Sequence, residues 1–362
     1  MRHPILHLVV SARPNLPKIA AIWRALHAPG AASFCTPRIL HTGQHHDRDM
    51  FGQHLDDLGL PPPHLALHAA GGSHAETCAR IMTACEATWQ RERPALAIVV
   101  GDVDGTLAAA IAARQMRIPV AHLEAGLRGG DWNMAEEINR RAVDAISDAL
   151  WASTQEDAEG LVAAGHPPWR IRAVGNAMAD TLLHNIDRAR ARPLPSGLRG
   201  GGYGVVTLHR AENVDDEPRL RAWLAVIGEA ARQLPLAWPL HPRLRLRMET
   251  LGLALPAGVM PLPPLSYLNF LALLASSQLV ASDSGGVQEE ATILDIPCLT
   301  LRDSTERPLT LALGSSRLLE PHALCDAVAE VAQGRWPHAA PIPLWDLQVG
   351  ERVRDHLREL LG

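Results

Sequence analysis

Five residues spread along the 362-residue chain have the chemistry and the placement to move protons: Asp102, Glu124, Glu136, Glu137 and His209. Three of them close an apolar run, with Asp102 after AIVVG, Glu124 at the end of PVAHLE and His209 after YGVVTL. A carboxylate carried out of water at the end of a buried strand is costly unless it is partnered or employed. Such groups, once gathered, suit general acid–base work, in which one takes a proton and another returns it. Glu136 and Glu137, adjacent in MAEEINRR, also fit a plainer role, because acidic residues in a first helical turn complement the helix dipole.

A second set suits an anion. The run DSGGVQEE, residues 283–290, reads as a strand end, paired glycines and a helix start, which puts backbone N–H groups at a positive helix end where phosphate binds. Gly285 and Gly286 let the backbone approach an oxygen closely, Ser284 offers a hydroxyl, and Glu290 can accept from a ribose hydroxyl. A glycine-containing helix start with a solvated acidic face is the alternative. Arg13 in SARPN, Lys18 and Arg307 in RDSTERP could balance the charge of a diphosphate, although a lone strand-end arginine is more often a surface ion pair. His45 and His46 in TGQHHDRDM are neighbours that diverge on most backbones and have no cysteine set beside them, so no metal site is expected.

These groups need strands to carry them. Short β-branched runs alternate with amphipathic stretches: ILHLVV, a helix over 16–27, RILHT, ALAIVV, a helix from Thr106 and IPVAHLE. That alternation predicts a parallel, doubly wound sheet. The Pro/Gly-rich stretch ARPLPSGLRGGGYG then interrupts it, and the pattern restarts with YGVVTLH, a helix over 219–234, LAWPLH, VMPL, QLVASDS and IPCLTLR. Two Rossmann-like α/β domains follow, residues 1–181 and 182–347, their parallel sheets flanking a central cleft, with an amphipathic helix over 348–362 at the end. In open sheets of this kind ligands bind at the carboxyl ends of the strands, where the unusual polar residues fall.

Composition narrows the partners. Hydrophobic residues make up 47% and charged residues 20%, which describes an ordinary globular chain. Lys+Arg 34 against Asp+Glu 39 gives a net charge of −5, so no basic excess exists to meet nucleic acid or an anionic membrane. The five cysteines show no CxxC spacing and read as buried free thiols. The N-terminal apolar run is too short to span a bilayer and lacks a cleavage site, so a reducing cytoplasm is expected. No GxGxxG follows a strand, and GxxxxGK[ST], GxSxG and HExxH are missing, so no cofactor is expected.

The segments ARPN..K at Arg13 to Lys18, VVGDVDGTLA at Asp102, HLEAGLR at Glu124, EEINRR at Glu136, TLHRAEN at His209, DSGGVQEEA at Ser284 and RDSTERP at Arg307 resemble, in combination and order, the non-hydrolysing UDP-N-acetylglucosamine 2-epimerases of GT-B-like fold. The match runs the full length. The resemblance implies a catalytic set of Asp102, Glu124, Glu136 and His209. It implies UDP-sugar contacts from Arg13, Lys18, Ser284, Gly285, Gly286, Glu290 and Arg307, with Phe270 near uracil and His241 near the diphosphate. It further implies elimination of UDP to a 2-acetamidoglucal followed by re-addition, a homodimer, and a C-terminal helix crossing back onto the first domain.

Departures from the family pattern are Asn15 and Leu309 in place of Glu, Ala135 in place of Pro, and Asp104 and Gly105 where small polar residues are usual. Gln44 stands without its glutamine mate, Asp47 taking the second place, which argues against allosteric activation by substrate. A modified substrate such as UDP-2,3-diacetamido-glucuronate, a hydrolysing outcome, a GT-B glycosyltransferase and a nucleotide-sugar sensor are the competing readings.

Overall fold

LAIVV at Leu96–Val100 and VAHLEA at Val120–Ala125 are buried at every position, as strands are when helices cover both faces of a sheet. In a computed structural model, residues 3–28, 34–43 and 48–362 are described; Gln44, His45, His46 and Asp47 lie outside them. The chain divides into two compact units, residues 1–184 with 343–362, and residues 185–342.

Among the described residues the first unit carries a seven-stranded parallel sheet. Its strands are β1 (Ile5–Val10), β2 (Thr36–His41), β3 (Leu65–Ala66), β4 (Leu96–Val100), β5 (Val120–Ala125), β6 (Ala149–Ala152) and β7 (Ile171–Ala173), in the order β3-β2-β1-β4-β5-β6-β7. The helix Asp104–Gln115 is alanine-rich on its inner face, and Ala108, Ala109, Ala110, Ala112 and Ala113 pack against Val9, Val99 and Val120 with almost no exposure. The helix His74–Arg91 opens with a capping box between Ser73 and Glu76 and adds Ile81, Cys85 and Trp89 to the same core. Each fully buried aliphatic or aromatic side chain contributes about 1.5–3 kcal/mol.

The helix Val349–Leu361 belongs to this unit and packs on the helix Asn15–Leu26. Val349, Val353 and Leu357, four residues apart, are fully buried. Gly350 lies against Ala21 and Ala25, its amide donates to Asp180 at 2.9 Å, and Trp151 Nε1 donates to His356 Nδ1 at 2.8 Å.

The second unit has a six-stranded parallel sheet. Its strands are β8 (Gly204–Thr207), β9 (Leu236–Pro239), β10 (Val259–Leu262), β11 (Leu279–Ser282), β12 (Cys298–Thr300) and β13 (Ser316–Leu318), in the order β10-β9-β8-β11-β12-β13. Trp223 and Trp238 are fully buried in its core beside Leu220, Ile227 and Leu299.

Helix limits differ from the sequence-based ones for local reasons. The first helix after β4 begins at Asp104 rather than Thr106, because Val103 is already the extended cap residue. After β8 a short helix, Ala211–Val214, comes first, and the longer helix expected over 219–234 spans Glu217–Ala230, where Asp216 caps the Arg219 amide at 3.1 Å and Pro218 fits the first turn. Leu182 is buried inside the continuous helix Ala177–Arg190. All five cysteines are free, but Cys78 and Cys325 are half-buried rather than buried. No helix among the described residues is long and apolar enough to cross a membrane.

Candidate active site

Strand order reverses between β1 and β4 in the first unit and between β8 and β11 in the second. These are the switch points at which adjacent strand-end loops part and leave a crevice for a ligand. The candidate residues collect at both.

In the first unit Asn15 ties the switch point together. Its Oδ1 accepts from the Ser11 and Ala12 amides at 3.1 and 2.9 Å, and its Nδ2 donates to the Val100 carbonyl at 3.3 Å. Arg13, half-buried, lies in the loop that this side chain shapes. Across the crevice Asp102 accepts from the buried guanidinium of Arg140, and Asn139 Nδ2 donates to the Asp102 carbonyl at 2.9 Å and to Asp104 Oδ1 at 3.2 Å. Asp104 also meets His74 Nδ1 at 2.7 Å.

Glu124 owes its position to a bulge. Leu123 and Ala125 pair with the consecutive residues Trp151 and Ala152, so Glu124 is the extra residue, and its φ of 69° is a conformation that non-glycine residues adopt at a cost. Its carboxylate takes the ammonium of Lys18, both groups being buried. Gly101, at φ 68°, makes room for them, since a Cβ there would stand 3.2 Å from Glu124 Oε2 and 3.5 Å from Lys18 Nζ.

The acidic pair at 136–137 divides its work. Glu137 is buried and accepts from the Gly129 amide at 2.9 Å, Arg140 at 3.1 Å and Arg141 at 2.8 Å. Burial works to raise its carboxyl, but these donors outweigh it and hold it below the usual range. Glu137 therefore anchors Arg140, while Glu136 is half-buried on the same helix, Ala135–Ile146.

In the second unit Asp283, wholly buried, spans the switch point. It accepts from the His209 amide at 3.0 Å, the Arg210 amide at 2.9 Å and Asn213 Nδ2 at 3.2 Å, and lies 2.9 Å from His209 Nδ1. Burial would raise this carboxyl, yet the His209 ring and the two amides keep it low. His241, the cap of the helix Pro242–Thr250, stands with its ring 5.6 Å from that of His209.

Ser284 caps the helix Gly285–Ile293 by backbone position only, with no side-chain bond to the first turn, so its hydroxyl is not consumed there. Arg307 lies directly against this turn. Its Nη1 would be 2.5 Å from a Cβ at Gly285, and it pairs with Glu289 at 2.8 Å and Glu306 at 2.5 Å. Glu306 also meets Arg302 at 2.8 Å and Arg210 at 3.5 Å; against the cost of burial these arginines hold it far below the usual carboxylate range. Gly286 is half-buried on the first turn. Phe270 packs, half-buried, on the cluster that includes Val287 of the same helix.

Glu290 is the opposite case. Burial and then the neighbouring Glu289 push its carboxyl up to about 8, against about 4.3 for an unperturbed Glu. Between those values the folded chain holds one more proton than the unfolded chain, so this group lowers stability as pH rises from about 4.5 to about 8. Glu290→Gln is expected to remove that slope. Its melting temperature should gain on the parent's by several degrees between pH 5 and pH 8, one pKa unit being about 1.4 kcal/mol and 1 kcal/mol about 2–4 °C for a chain of this order. A constant gap measured by calorimetry across that range would refute the assignment.

Each unit thus assembles part of the expected set. Lys18 and Glu124 touch, Asp102 is linked to Glu137 through Arg140, and His209, His241 and the 283–290 turn share the second switch point. Residues to which the sequence assigns no role of their own do the holding: Arg140 and Asn139 for Asp102, Asp283 for His209, Glu289 and Glu306 for Arg307. So does His122, buried between Asp144 Oδ1 at 2.7 Å and the Gly101 carbonyl at 2.9 Å.

Residues 30–358 match the family described as UDP-N-acetylglucosamine 2-epimerase. The UDP-N-acetylglucosamine 2-epimerase of Methanocaldococcus jannaschii is 36% identical over 87% of this chain and 88% of that protein. The UDP-2,3-diacetamido-2,3-dideoxy-D-glucuronate 2-epimerase of Pseudomonas aeruginosa is 37% identical over 90% of each chain. The fold is similar to the crystal structure of M. jannaschii UDP-GlcNAc 2-epimerase in complex with UDP-GlcNAc and UDP, with a TM-score of 0.90 at 34% identity over 98% of this chain and 99% of that one. With a match that spans nearly the whole chain and strand-end chemistry of the kind described, this protein belongs to the UDP-N-acetylglucosamine 2-epimerase family of isomerases.

Proposed function

We propose that the chain interconverts UDP-GlcNAc and UDP-ManNAc by eliminating UDP and adding it back. The observation that carries this is Asp102, a carboxylate at a switch point, oriented by a buried arginine, in a member of this family. Carbon 2 of an N-acetylhexosamine has no ring carbonyl beside it, so its inversion needs oxidation elsewhere or elimination, and the sequence has no dinucleotide fingerprint. Asp102 takes the C2 proton, the C2–H electrons form the C1=C2 bond, and the C1–O pair leaves with UDP. The glucal is then reprotonated on its other face, with Glu124, Lys18 and Glu136 supplying and placing that proton, and UDP returns to C1.

The second unit supplies the handle. Ser284, Gly285, Gly286 and Arg307 hold the diphosphate together with His209 and His241; Glu290 takes the ribose and Phe270 the uracil. Asn139 joins Asp104 to the backbone carbonyl of Asp102, and UDP-GlcNAc is proposed ahead of the substrate named for the P. aeruginosa relative. The enzyme is proposed to work in the cytoplasm, consistent with its free thiols, and as a homodimer, which sedimentation would test.

NMR of the purified protein with UDP-GlcNAc in D2O is the test. UDP-ManNAc carrying deuterium at C2 is expected. Unlabelled product would sink elimination, free ManNAc with UDP would make the enzyme hydrolysing, and faster turnover of the diacetamido-uronate would reassign the substrate.

A further inference from the structure

Gln288 is buried on the helix Gly285–Ile293, and its own amide donates to the Ser284 carbonyl at 3.0 Å. Both ends of its side chain reach the segment that carries Arg307. Nε2 donates to Thr310 Oγ1 at 2.6 Å, and Oε1 accepts from Thr305 Oγ1 at 2.8 Å. Each threonine in turn meets the backbone of Arg307: Thr305 Oγ1 accepts from the Arg307 amide at 3.2 Å, and Thr310 Oγ1 donates to the Arg307 carbonyl at 2.8 Å. The bonds close a ring that runs one way, from Arg307 N–H through Thr305, Gln288 and Thr310 back to Arg307 C=O. Only this orientation of the Gln288 amide satisfies every member. With the amide turned over, Nε2 would face the hydroxyl hydrogen of Thr305, and Thr310 would have to turn its hydrogen away from Arg307 to meet Oε1.

We infer that Gln288 is a positioning residue for Arg307, fixing both polar groups of its backbone so that the guanidinium is set in advance for a diphosphate. The inference deepens the proposed function and rests on it for the identity of the anion. Arg307 needs such a hold because it stands at the cap of the short helix Pro308–Ala312, with φ −121° and ψ 63°, where neither helix nor strand fixes its backbone. The far end of its side chain is restrained separately, by Glu289 and Glu306 and by the notch at Gly285, where a Cβ would stand 2.5 Å from Nη1. An arginine held at both ends loses less freedom when an anion arrives, which is where preorganisation gains affinity. Glutamine suits the task because one side chain presents a donor and an acceptor side by side. A carboxylate would only accept, and an apolar chain would leave two hydroxyls without their partner. Bonds that point the same way around a ring also polarise one another.

Calorimetry with UDP on the full chain reads the consequence. Gln288→Met keeps the length of the side chain and removes both ends of the bridge, and UDP should bind about 10-fold more weakly, which corresponds to about 1.4 kcal/mol. Thr305→Val should lose affinity several-fold, whereas Thr305→Ser, which keeps the hydroxyl, should bind as the parent does. A double-mutant cycle separates positioning from general support. In an Arg307→Ala chain, Gln288→Met should cost nothing further, because a residue that works through Arg307 has nothing left to place. An equal loss in both backgrounds would overturn the inference, and so would parental affinity in a folded Gln288→Met. Should Gln288→Met fail to fold, Thr305→Val carries the same cycle from a half-buried position. Hydrogen exchange at the Arg307 amide of the unliganded chain judges the ring without any ligand: it should be faster in Gln288→Met and Thr305→Val and parental in Thr305→Ser, and unchanged exchange in the first two would refute the ring. A parent chain that binds no UDP would instead sink the proposed function, with the exchange rates still deciding whether Gln288 holds Arg307.

Discussion

Asp102→Asn is expected to lower turnover by about 10²–10⁴-fold, the range that general acid–base placement contributes, and to leave UDP binding intact. The substitution keeps the shape of the side chain and removes its ability to take a proton. The fold should survive, because Arg140 retains Glu137 at 3.1 Å and Asn139 still reaches the backbone carbonyl of residue 102, where its bond is 2.9 Å long. UDP binding should persist because the groups proposed to grip it, from Ser284 to Glu290 with Arg307, are held by their own unit's contacts, Glu289 and Glu306 among them. Turnover measured by NMR and UDP affinity measured by calorimetry check the two halves separately. Near-parental turnover would remove Asp102 from the base role, and lost UDP affinity would show that the variant does more than remove a proton acceptor.

Asp144→Ala is expected to cost about 3–5 kcal/mol, the penalty for removing one partner of a buried ion pair and a large share of the 5–15 kcal/mol typical of folding. Asp144 is fully buried, accepts from His122 Nδ1 at 2.7 Å and the Gly126 amide at 3.2 Å, and pairs with Arg128 at 2.7 Å. Burial works to raise its carboxyl, but the His122 ring and Arg128 keep it below the usual range. A depressed carboxyl contributes stability that is present above its unfolded pKa of about 3.9 and is lost as pH falls below it. The parent should therefore soften in acid below about pH 4, and Asp144→Ala should soften less steeply. Urea unfolding at pH 7 and pH 3.5 gives both quantities; a cost under about 1 kcal/mol, the level of a surface pair, would refute the assignment. The effect should reach function too, because His122 Nε2 is bonded to Gly101, the residue that leads into Asp102.

The sequence speaks most clearly where chemistry and local backbone coincide. DSGGVQEE is readable because its glycines, strand end and helix start are contiguous, and Asp102 and Glu124 are readable because they close apolar runs. Partnerships over distance leave no such trace. Lys18 meets Glu124 across 106 positions, a pairing that neither residue's own segment announces. Asp283 stands in the legible run, yet its bonds to residues 209–213 exist only because β8 and β11 are neighbours. Likewise the bulge at Glu124 has no marker in HLEAGLR, since it arises from pairing with Trp151 and Ala152. Of the pair at 136–137, burial and three donors make Glu137 a holder of arginines, a distinction that helical position alone could not draw.

The docking of Val349–Leu361 against Asn15–Leu26 has a consequence for synthesis on the ribosome. Residues 185–342 are made between the two parts of the first unit, which takes on the order of 10–30 s at about 5–20 residues per second. Throughout that interval the nascent first unit lacks Val349, Val353 and Leu357, the side chains that bury themselves on it, and Trp151 lacks His356. The second unit can finish folding while the first still exposes a sticky helix face, so the order of completion runs opposite to the order of translation, and that waiting face is where a chaperone would find the chain.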